Sequence, residues 1–286
     1  MLDERKSDVY KLVPSRYLPK TVATMANACD IHSLLTSANL EFPLIVKPNI
    51  GLKGYMVRKV DSLSELQEIL KEYEEREVLL QEFLTHEREF SLLYYQMPNS
   101  GEFGISSFIE KKLPFVIGDG KSPLMDLVDK KFNPFLKKEY ILRKKKEYLD
   151  SSPALGEKII IDYVGNYSRG AKFYSLNNEI DKELIDSAYR FFSNLDGLYF
   201  GRVDMKADSI EDLRKGNFKI MEINGAKSEP LHIYDPNVSF HQIFKAISFH
   251  WNIVRRIVSE QVQTSFLFPS AKDGIEAAKS LKRLIS

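Results

Sequence analysis

The sequence predicts an α+β protein in which strand hairpins and packed helices are mixed rather than alternating as regular βαβ units. Three observations carry that expectation. Residues 42–46 (Phe-Pro-Leu-Ile-Val) read as a buried strand that returns, after a glycine-containing loop, through residues 55–60. Residues 199–206 and 218–223 read as a second strand pair around a short charged segment. Ile185, Ala188, Tyr189 and Phe192 stand at i, i+3, i+4 and i+7, so residues 181–195 form an amphipathic helix.

Taken in order, residues 1–40 hold turn signals at Val13-Pro14 and Leu18-Pro19 and an apolar-periodic segment at 32–40, too little for an independent domain. After the 42–60 hairpin, Ser62 followed by Glu65 makes a capping box, and Leu63, Leu66, Ile69 and Leu70 carry helical spacing to about residue 73. Residues 78–84 form another apolar strand. Phe90, Leu92 and Tyr94 alternate with Ser91, Leu93 and Tyr95 without fixing one buried face; β-rich composition there and at 103–109 predicts an antiparallel meander. Residues 118–122 read as a turn with a capping serine, Ser122, followed by two helical stretches, the second carrying the basic run 143–146. Phe240, Ile243, Phe244, Ile247, Trp251 and Val254 trace a long amphipathic helix, and the last dozen residues a smaller one.

The chain is long enough for about two domains, or one fold of two joined lobes. Its 43% hydrophobic and 28% charged residues are those of an ordinary globular protein. Lys plus Arg (41) nearly cancels Asp plus Glu (40), so no global field recruits nucleic acid or anionic lipid, and any anion site is assembled locally. The single cysteine, Cys29, excludes an intramolecular disulfide. The charged opening lacks the apolar stretch of a signal peptide, and no run reaches the ~18 apolar residues of a membrane span. A cytoplasmic protein with no membrane and no nucleic-acid partner is expected.

The chemistry concentrates in residues 201–206 (Gly-Arg-Val-Asp-Met-Lys) and 219–224 (Lys-Ile-Met-Glu-Ile-Asn). Side chains two apart on a strand share a face, so Arg202 goes with Asp204 and Glu222 with Asn224. As paired neighbours these strands offer one cation and three oxygen ligands, a set that Mg²⁺ accepts when phosphates and water complete its shell. A pair of edge strands with solvated charges has the same spacing. Glu222 and Asn224, however, sit among Ile220, Met221 and Ile223, where a carboxylate is usually paired or metal-bound. A second element is the loop from Lys47 to Gly54: a lysine ending a buried strand, then Gly51, Lys53 and Gly54, suits close approach of backbone amides to phosphates. It matches neither the P-loop nor the GxGxxG spacing, and a tight hairpin with incidental lysines reads the same way.

Residues 42–48 (Phe-Pro-Leu-Ile-Val-Lys-Pro), 80–84 (Leu-Gln-Glu-Phe-Leu), Glu89-Phe90, Arg202-Val-Asp204 and Glu222-Ile-Asn224, in that order, resemble the ATP-grasp ligases, especially the D-alanine–D-alanine ligase and cyanophycin-synthetase branch. The resemblance covers about residues 40–235. It implies an ATP-grasp fold, two α+β lobes whose antiparallel sheets sandwich the nucleotide. Residues 1–40 would be a reduced N-terminal segment, 41–96 the small lobe, 97–260 the large lobe with the metal site, and 261–286 a C-terminal helical segment. It implies ATP and one or two Mg²⁺, with Mn²⁺ as an alternative ion. Lys47 would contact the α- and β-phosphates, Gln81, Glu82, Phe83 and Leu84 the adenine, and Glu89 the ribose hydroxyls. Asp204, Glu222 and Asn224 would hold metal, and Arg202 would face the developing oxyanion. An earlier phosphate lysine maps to Lys6, with Lys20 as competitor.

Residues 163–170, Tyr-Val-Gly-Asn-Tyr-Ser-Arg-Gly, take the place of a loop near the nucleotide tail in related ligases. There Arg169 would hold the acid substrate's carboxylate or a transferred phosphate; a plain turn with an exposed arginine is the other reading. Residues 225–235 depart from the Ser-Gly-rich substrate segment of D-alanine ligases, which removes the expectation of D-alanine specificity and puts Lys227, Ser228, Glu229 and His232 toward a second substrate. His232 reads equally as a structural histidine.

The expected activity is a carbon–nitrogen ligase reaction. A carboxylate attacks the γ-phosphate of ATP, and an amine displaces phosphate from the acyl phosphate. The partners are then a small-molecule acid and amine, with self-association left open. The alternatives are an ATP-grasp small-molecule kinase and a nucleotide-binding module without turnover.

Overall fold

The computed structural model describes residues 5–51, 54–132, 146–195 and 197–262. In chain order the elements are α1 (Lys6–Lys11), β1 (Thr21–Met25), α2 (Ile31–Ser37), β2 (Leu44–Pro48), β3 (Arg58–Val60), α3 (Leu63–Leu70) and β4 (Glu77–Glu82), then β5 (Arg88–Gln96), β6 (Phe103–Lys112), β7 (Phe115–Ile117), α4 (Leu124–Lys131) and α5 (Lys146–Asp150). They continue through β8 (Lys158–Ile160), β9 (Lys172–Ser175), α6 (Lys182–Phe192), β10 (Phe200–Ala207), α7 (Ile210–Lys215), β11 (Lys219–Asn224) and α8 (Phe240–Val262).

Two antiparallel sheets build the body. One has the order β1-β4-β2-β3, the other β11-β10-β5-β6-β9, and β7 pairs β8 separately. The first is buried by α2 and α3 through Leu35, Leu44, Val46, Leu66, Tyr73, Val78 and Leu80. Ser62 caps α3 as the sequence foretells, its Oγ accepting from the Glu65 amide at 3.2 Å, while the Glu65 carboxylate reaches back to the Asp61 amide at 2.8 Å. The second sheet is covered on one face by α6, where Phe90, Leu92, Tyr94, Val203 and Met205 meet Leu184, Phe191 and Phe192. Asp181 caps α6 by accepting from the Leu184 amide at 2.9 Å.

Several sequence expectations need correction. Residues 5–40 supply a strand that the sequence reading did not single out. β1 hydrogen-bonds along the whole of β4 and forms an edge of the first sheet, and its half-exposed Thr-Val-Ala-Thr-Met gave a weak strand signal. β5 belongs to the second sheet, so the change of sheet falls between β4 and β5 rather than after residue 96. Ser122 caps nothing: Asp119 accepts from its amide and hydroxyl at 2.7 Å each, and α4 starts behind Pro123 without a side-chain cap. α8 exists but runs to Val262, and it turns a different face to the body than the apolar spacing suggests. His250, Ile253 and Ile257 are buried, whereas Phe240, Phe244 and Trp251 are exposed. The basic residues 143–145 and the helix expected in the last dozen residues lie outside the described residues.

Candidate nucleotide and metal site

The face of the second sheet opposite α6 is polar, and register explains why. β5 buries Phe90, Leu92 and Tyr94 under α6, so Glu89, Ser91 and Leu93 must point the other way. Cross-strand partners then line up in three rows. Lys111, Glu89 and Lys206 form the first; Ile109, Ser91, Asp204 and Glu222 the second; Ser107, Leu93, Arg202 and Asn224 the third. The sequence left the buried face of β5 undecided because both of its faces are covered, one by helix and one by the floor of a cleft.

That cleft, about 550 Å³, runs between the two sheets. Its lining joins Lys6, Lys47 and Gly51 from the first half of the chain, Glu82 at the end of β4 with Phe83 and Leu84 after it, and Glu89, Arg202, Asp204, Glu222, Asn224 and Lys227 from the second sheet and beyond. Lys47, at the end of β2, is buried. It donates to the hydroxyl of Tyr10 and to Gln81 Oε1, both at 2.9 Å, and to the carbonyl of Met221 at 3.3 Å. The last contact comes from an irregularity in β10–β11 pairing after Asp204, where Ile220 rather than Met221 faces Met205. Such a bulge leaves a residue unpaired and re-aims its backbone; Tyr10 also donates to the Met221 carbonyl, at 2.6 Å.

Lys6 donates to the Gly51 carbonyl at 3.1 Å; burial pushes its pKa down, opposed by Glu222 and assisted by Lys47. Its competitor Lys20 instead donates to Asn39 at 3.2 Å on the exposed side. Gln81 braces Lys47 and donates to Thr21, and the Glu82 carboxylate accepts from the Lys20 amide at 3.1 Å. Lys53 lies outside the described residues.

Asp204 is the electrostatic centre of the floor. Its Oδ1 accepts from Ser91 Oγ at 2.6 Å, and Lys111 Nζ lies 3.0 Å from its Oδ2. Burial alone would raise its pKa; Lys111, Arg202 and Ser91 outweigh that and hold it at about 2. For Glu89, 3.3 Å from the same ammonium, burial wins and the pKa is raised. Burial also acts against Lys111, but the two carboxylates keep it charged, its pKa raised. Lys111 was not anticipated, although a lysine after the buried Phe108-Ile109-Glu110 run was a visible sign of a buried ion pair. Lys206, also unanticipated, donates to the Leu84 carbonyl at 3.1 Å and sits over the Phe83 ring.

Arg202 Nε stands 3.4 Å from Asp204 Oδ1, an ion-pair distance without hydrogen-bond geometry, and the buried Asn224 Nδ2 has no hydrogen-bond partner. Glu222 makes no hydrogen bond or ion pair among the described residues. An amide flip exchanges Nδ2 with Oδ1, so Asp204, Glu222 and Asn224 present two carboxylates and an amide oxygen side by side. No three His, Cys, Asp or Glu side chains gather among the described residues. Two carboxylates and an amide nonetheless fit Mg²⁺, which keeps water and substrate phosphates as its other ligands.

Three expected substrate residues stand elsewhere. Arg169 is buried and paired with Asp162 at 2.6 Å, facing a smaller neighbouring cavity with Tyr55 and Arg58. Ser228 is buried and turns its hydroxyl to the carbonyls of Asn224 and Gly225. His232 shares a hydrogen bond with Ser107 Oγ at 2.9 Å, and burial pushes its pKa down. None of the three lines the larger cleft, whereas Glu229 does, its carboxylate accepting from Tyr234 at 2.8 Å. In the loop 163–170, Tyr163, Asn166 and Tyr167 reach the cleft rather than Arg169.

Gly54 is held at φ +70, and a Cβ there would come within 2.3 Å of Val164 Cγ1. Gly54→Ala is therefore expected to cost about 1–3 kcal/mol, read as a lowered urea midpoint at unchanged slope.

No family model and no curated protein matches the chain. Among solved structures, a D-alanine–D-alanine ligase from Bacillus anthracis superposes with a TM-score of 0.51 at 14% identity, over 92% of this chain and 68% of that one. The VanG D-Ala:D-Ser ligase from Enterococcus faecalis matches at 17% identity and TM-score 0.48, over 86% of this chain and 61% of its own. A bifunctional glutathione synthetase from Pasteurella multocida matches at 15% and 0.43, over 88% of this chain and 36% of its own. The chain thus spans about two thirds of the first, less of the second and about a third of the last. With its two antiparallel sheets facing each other across the cleft, the chain has the ATP-grasp fold.

Proposed function

We propose that the protein is an ATP-dependent ligase that joins a carboxylate to an amine through an acyl phosphate, releasing ADP and phosphate. The observation that supports this best is the gathering of Lys6, Lys47, Lys111 and Arg202 around Asp204, Glu222 and Asn224 on the walls and floor of one cleft. Phosphoryl transfer asks mainly for positioning and charge neutralisation. Four cations suit a triphosphate, and no nucleophilic side chain is needed. Phe83 and Leu84 would flank the base, and Glu89 would meet the ribose. Lys6 and Lys47 would hold phosphates, while Lys111 stays on the floor between Asp204 and Glu89.

Asp204, Glu222 and Asn224 would hold Mg²⁺, which when bound neutralises charge on the phosphates. In the reaction a substrate carboxylate oxygen bonds to the γ-phosphorus as the bond to the β,γ-bridging oxygen breaks and ADP departs. The amine nitrogen then bonds to the acyl carbon, phosphate leaves, and the amine loses a proton. Arg202 would offset the charge that develops on oxygen in these steps. Lys227 and Glu229, of opposite charge at one end of the cleft, would meet the second substrate.

The test is calorimetry of ATP and ADP with and without Mg²⁺. Wild type should bind nucleotide more tightly with Mg²⁺, and Glu222→Gln should lose most of that gain, about tenfold or more, because a charge-assisted ligand is replaced by a neutral one. Absence of nucleotide binding by the wild type would sink the proposal. Amine-dependent ADP release then separates a ligase from a kinase.

A further inference from the structure

The ammonium of Lys47 has all of its donors engaged. A protonated lysine carries three N–H groups and no acceptor. Lys47 directs them to the Tyr10 hydroxyl and Gln81 Oε1, both at 2.9 Å, and to the Met221 carbonyl at 3.3 Å. None of these three oxygens carries a charge, so the positive charge of this buried side chain stands ready for an anion in the cleft that it lines.

The protons of the network can be followed from one end to the other. Thr21 gives its hydroxyl proton to the Pro19 carbonyl at 2.9 Å and accepts from Gln81 Nε2 at 2.8 Å. That turns Gln81 Oε1 toward Lys47. Tyr10 gives its one proton to the Met221 carbonyl at 2.6 Å, which leaves its oxygen as an acceptor for Lys47. The Met221 carbonyl, re-aimed by the irregular pairing of β10 with β11, thus receives from two side chains at once. Tyr10 also spans the cleft. α1 is tied to the first sheet through Asn49, which accepts from the Lys6 amide at 3.0 Å and from the Ser7 amide at 2.9 Å, whereas Met221 belongs to the second.

Lys47 therefore reaches a phosphate oxygen only by giving up one of its partners. Leaving Gln81 would take from Oε1 the donor it has. The Met221 contact is the longest of the three, and its carbonyl keeps the Tyr10 proton when Lys47 departs, so exchange at that position strands no buried group. We propose that Tyr10 is a positioning residue for Lys47: its hydroxyl aims the ammonium and holds the Met221 carbonyl while a phosphate oxygen takes that carbonyl's place. The inference rests on the nucleotide reading and adds to it a residue that touches no substrate.

Tyr10→Phe keeps the ring and removes the hydroxyl. Of the two side-chain donors to the Met221 carbonyl, Lys47 then remains, and its move to a phosphate strands a buried acceptor. Calorimetry on the full-length chain with Mg²⁺ should show ATP affinity reduced about tenfold. Adenosine, which brings no phosphate, should bind within about twofold of its wild-type affinity, and in a Lys47→Met background Tyr10→Phe should change ATP affinity by no more than about twofold. In a structure of the wild-type ATP complex, Lys47 Nζ should lie beyond hydrogen-bond reach of the Met221 carbonyl with the Tyr10 contact intact.

Equal weakening of ATP and adenosine overturns the proposal, because Tyr10 then shapes the cleft rather than aiming Lys47. An ATP loss that persists in the Lys47→Met background overturns it too, as does unchanged ATP affinity in Tyr10→Phe. A complex in which Lys47 still donates to Met221 has the same force and does not depend on how the variant folds. Each of these leaves the nucleotide reading standing, whereas a wild type that binds neither ATP nor adenosine overturns both.

Discussion

Asp204→Asn is expected to lose about 3 kcal/mol of folding stability at neutral pH together with the Mg²⁺-dependent part of nucleotide binding. Removing one member of a buried ion pair strands the other, at a cost of about 3–5 kcal/mol. Here Lys111 keeps Glu89 at 3.3 Å, which puts the loss at the lower end. The amide can still accept from Ser91, so packing is preserved and the change is one of charge. The acid limb carries the sharper test. Asp204 is depressed in the folded state from 3.8 to about 2, so on acidification the unfolded chain takes up this proton first. Its contribution is complete above about pH 4 and is lost as the pH falls toward 2, about 2 kcal/mol over that window. Urea midpoints of wild type and Asp204→Asn should therefore converge between pH 4 and pH 2. Parallel curves would mean that the carboxylate is not held by Lys111 and Arg202 in solution.

The parts of this site that the sequence disclosed are those where a polar residue interrupts an apolar strand. Glu222 and Asn224 stand out among Ile220, Met221 and Ile223, and Lys47 follows the buried Leu44 and Val46, so period-2 spacing marks them as candidates that strand register and the cleft then bring together. Lys111 and Lys206 obey the same rule and were missed because their partners lie on other strands. Only the register Lys111–Glu89–Lys206 turns three separate charges into one row. Arg169, Ser228 and His232 show the opposite failure: each lies near the right segment, but Asp162, the Asn224 carbonyl and Ser107 claim their polar atoms. β1 escaped notice for a further reason, since an edge strand with one wet face carries little hydrophobic pattern to read. α8 shows the limit of periodicity itself. The spacing of Phe240, Phe244, Ile247 and Trp251 reports a real apolar stripe, but not which stripe the body of the protein covers.

Arg202→Met should lower the rate of ADP release about 10²–10³-fold while leaving the ATP dissociation constant within about threefold. The argument turns on where the guanidinium stands. It lies on the floor beside Asp204, whose Oδ1 is 3.4 Å from its Nε, and opposite Asn224 on the next strand. Lys6 and Lys47, which would hold phosphates of the bound nucleotide, approach from the other side of the cleft. A cation set among the three proposed metal ligands has little to gain from the ground-state triphosphate, whose charge those lysines and the metal already offset. It gains most when charge builds on the oxygen being transferred or attacked, and an interaction made only then appears in the rate and not in the affinity. Arg202→Lys keeps the charge but loses the planar fork, so an intermediate rate is expected, with affinity again unchanged. If instead Arg202→Met weakens ATP binding by the same factor as it slows release, the guanidinium is a ground-state phosphate ligand, and the transition-state role assigned to it passes to Lys111, the remaining cation on the floor beside Asp204.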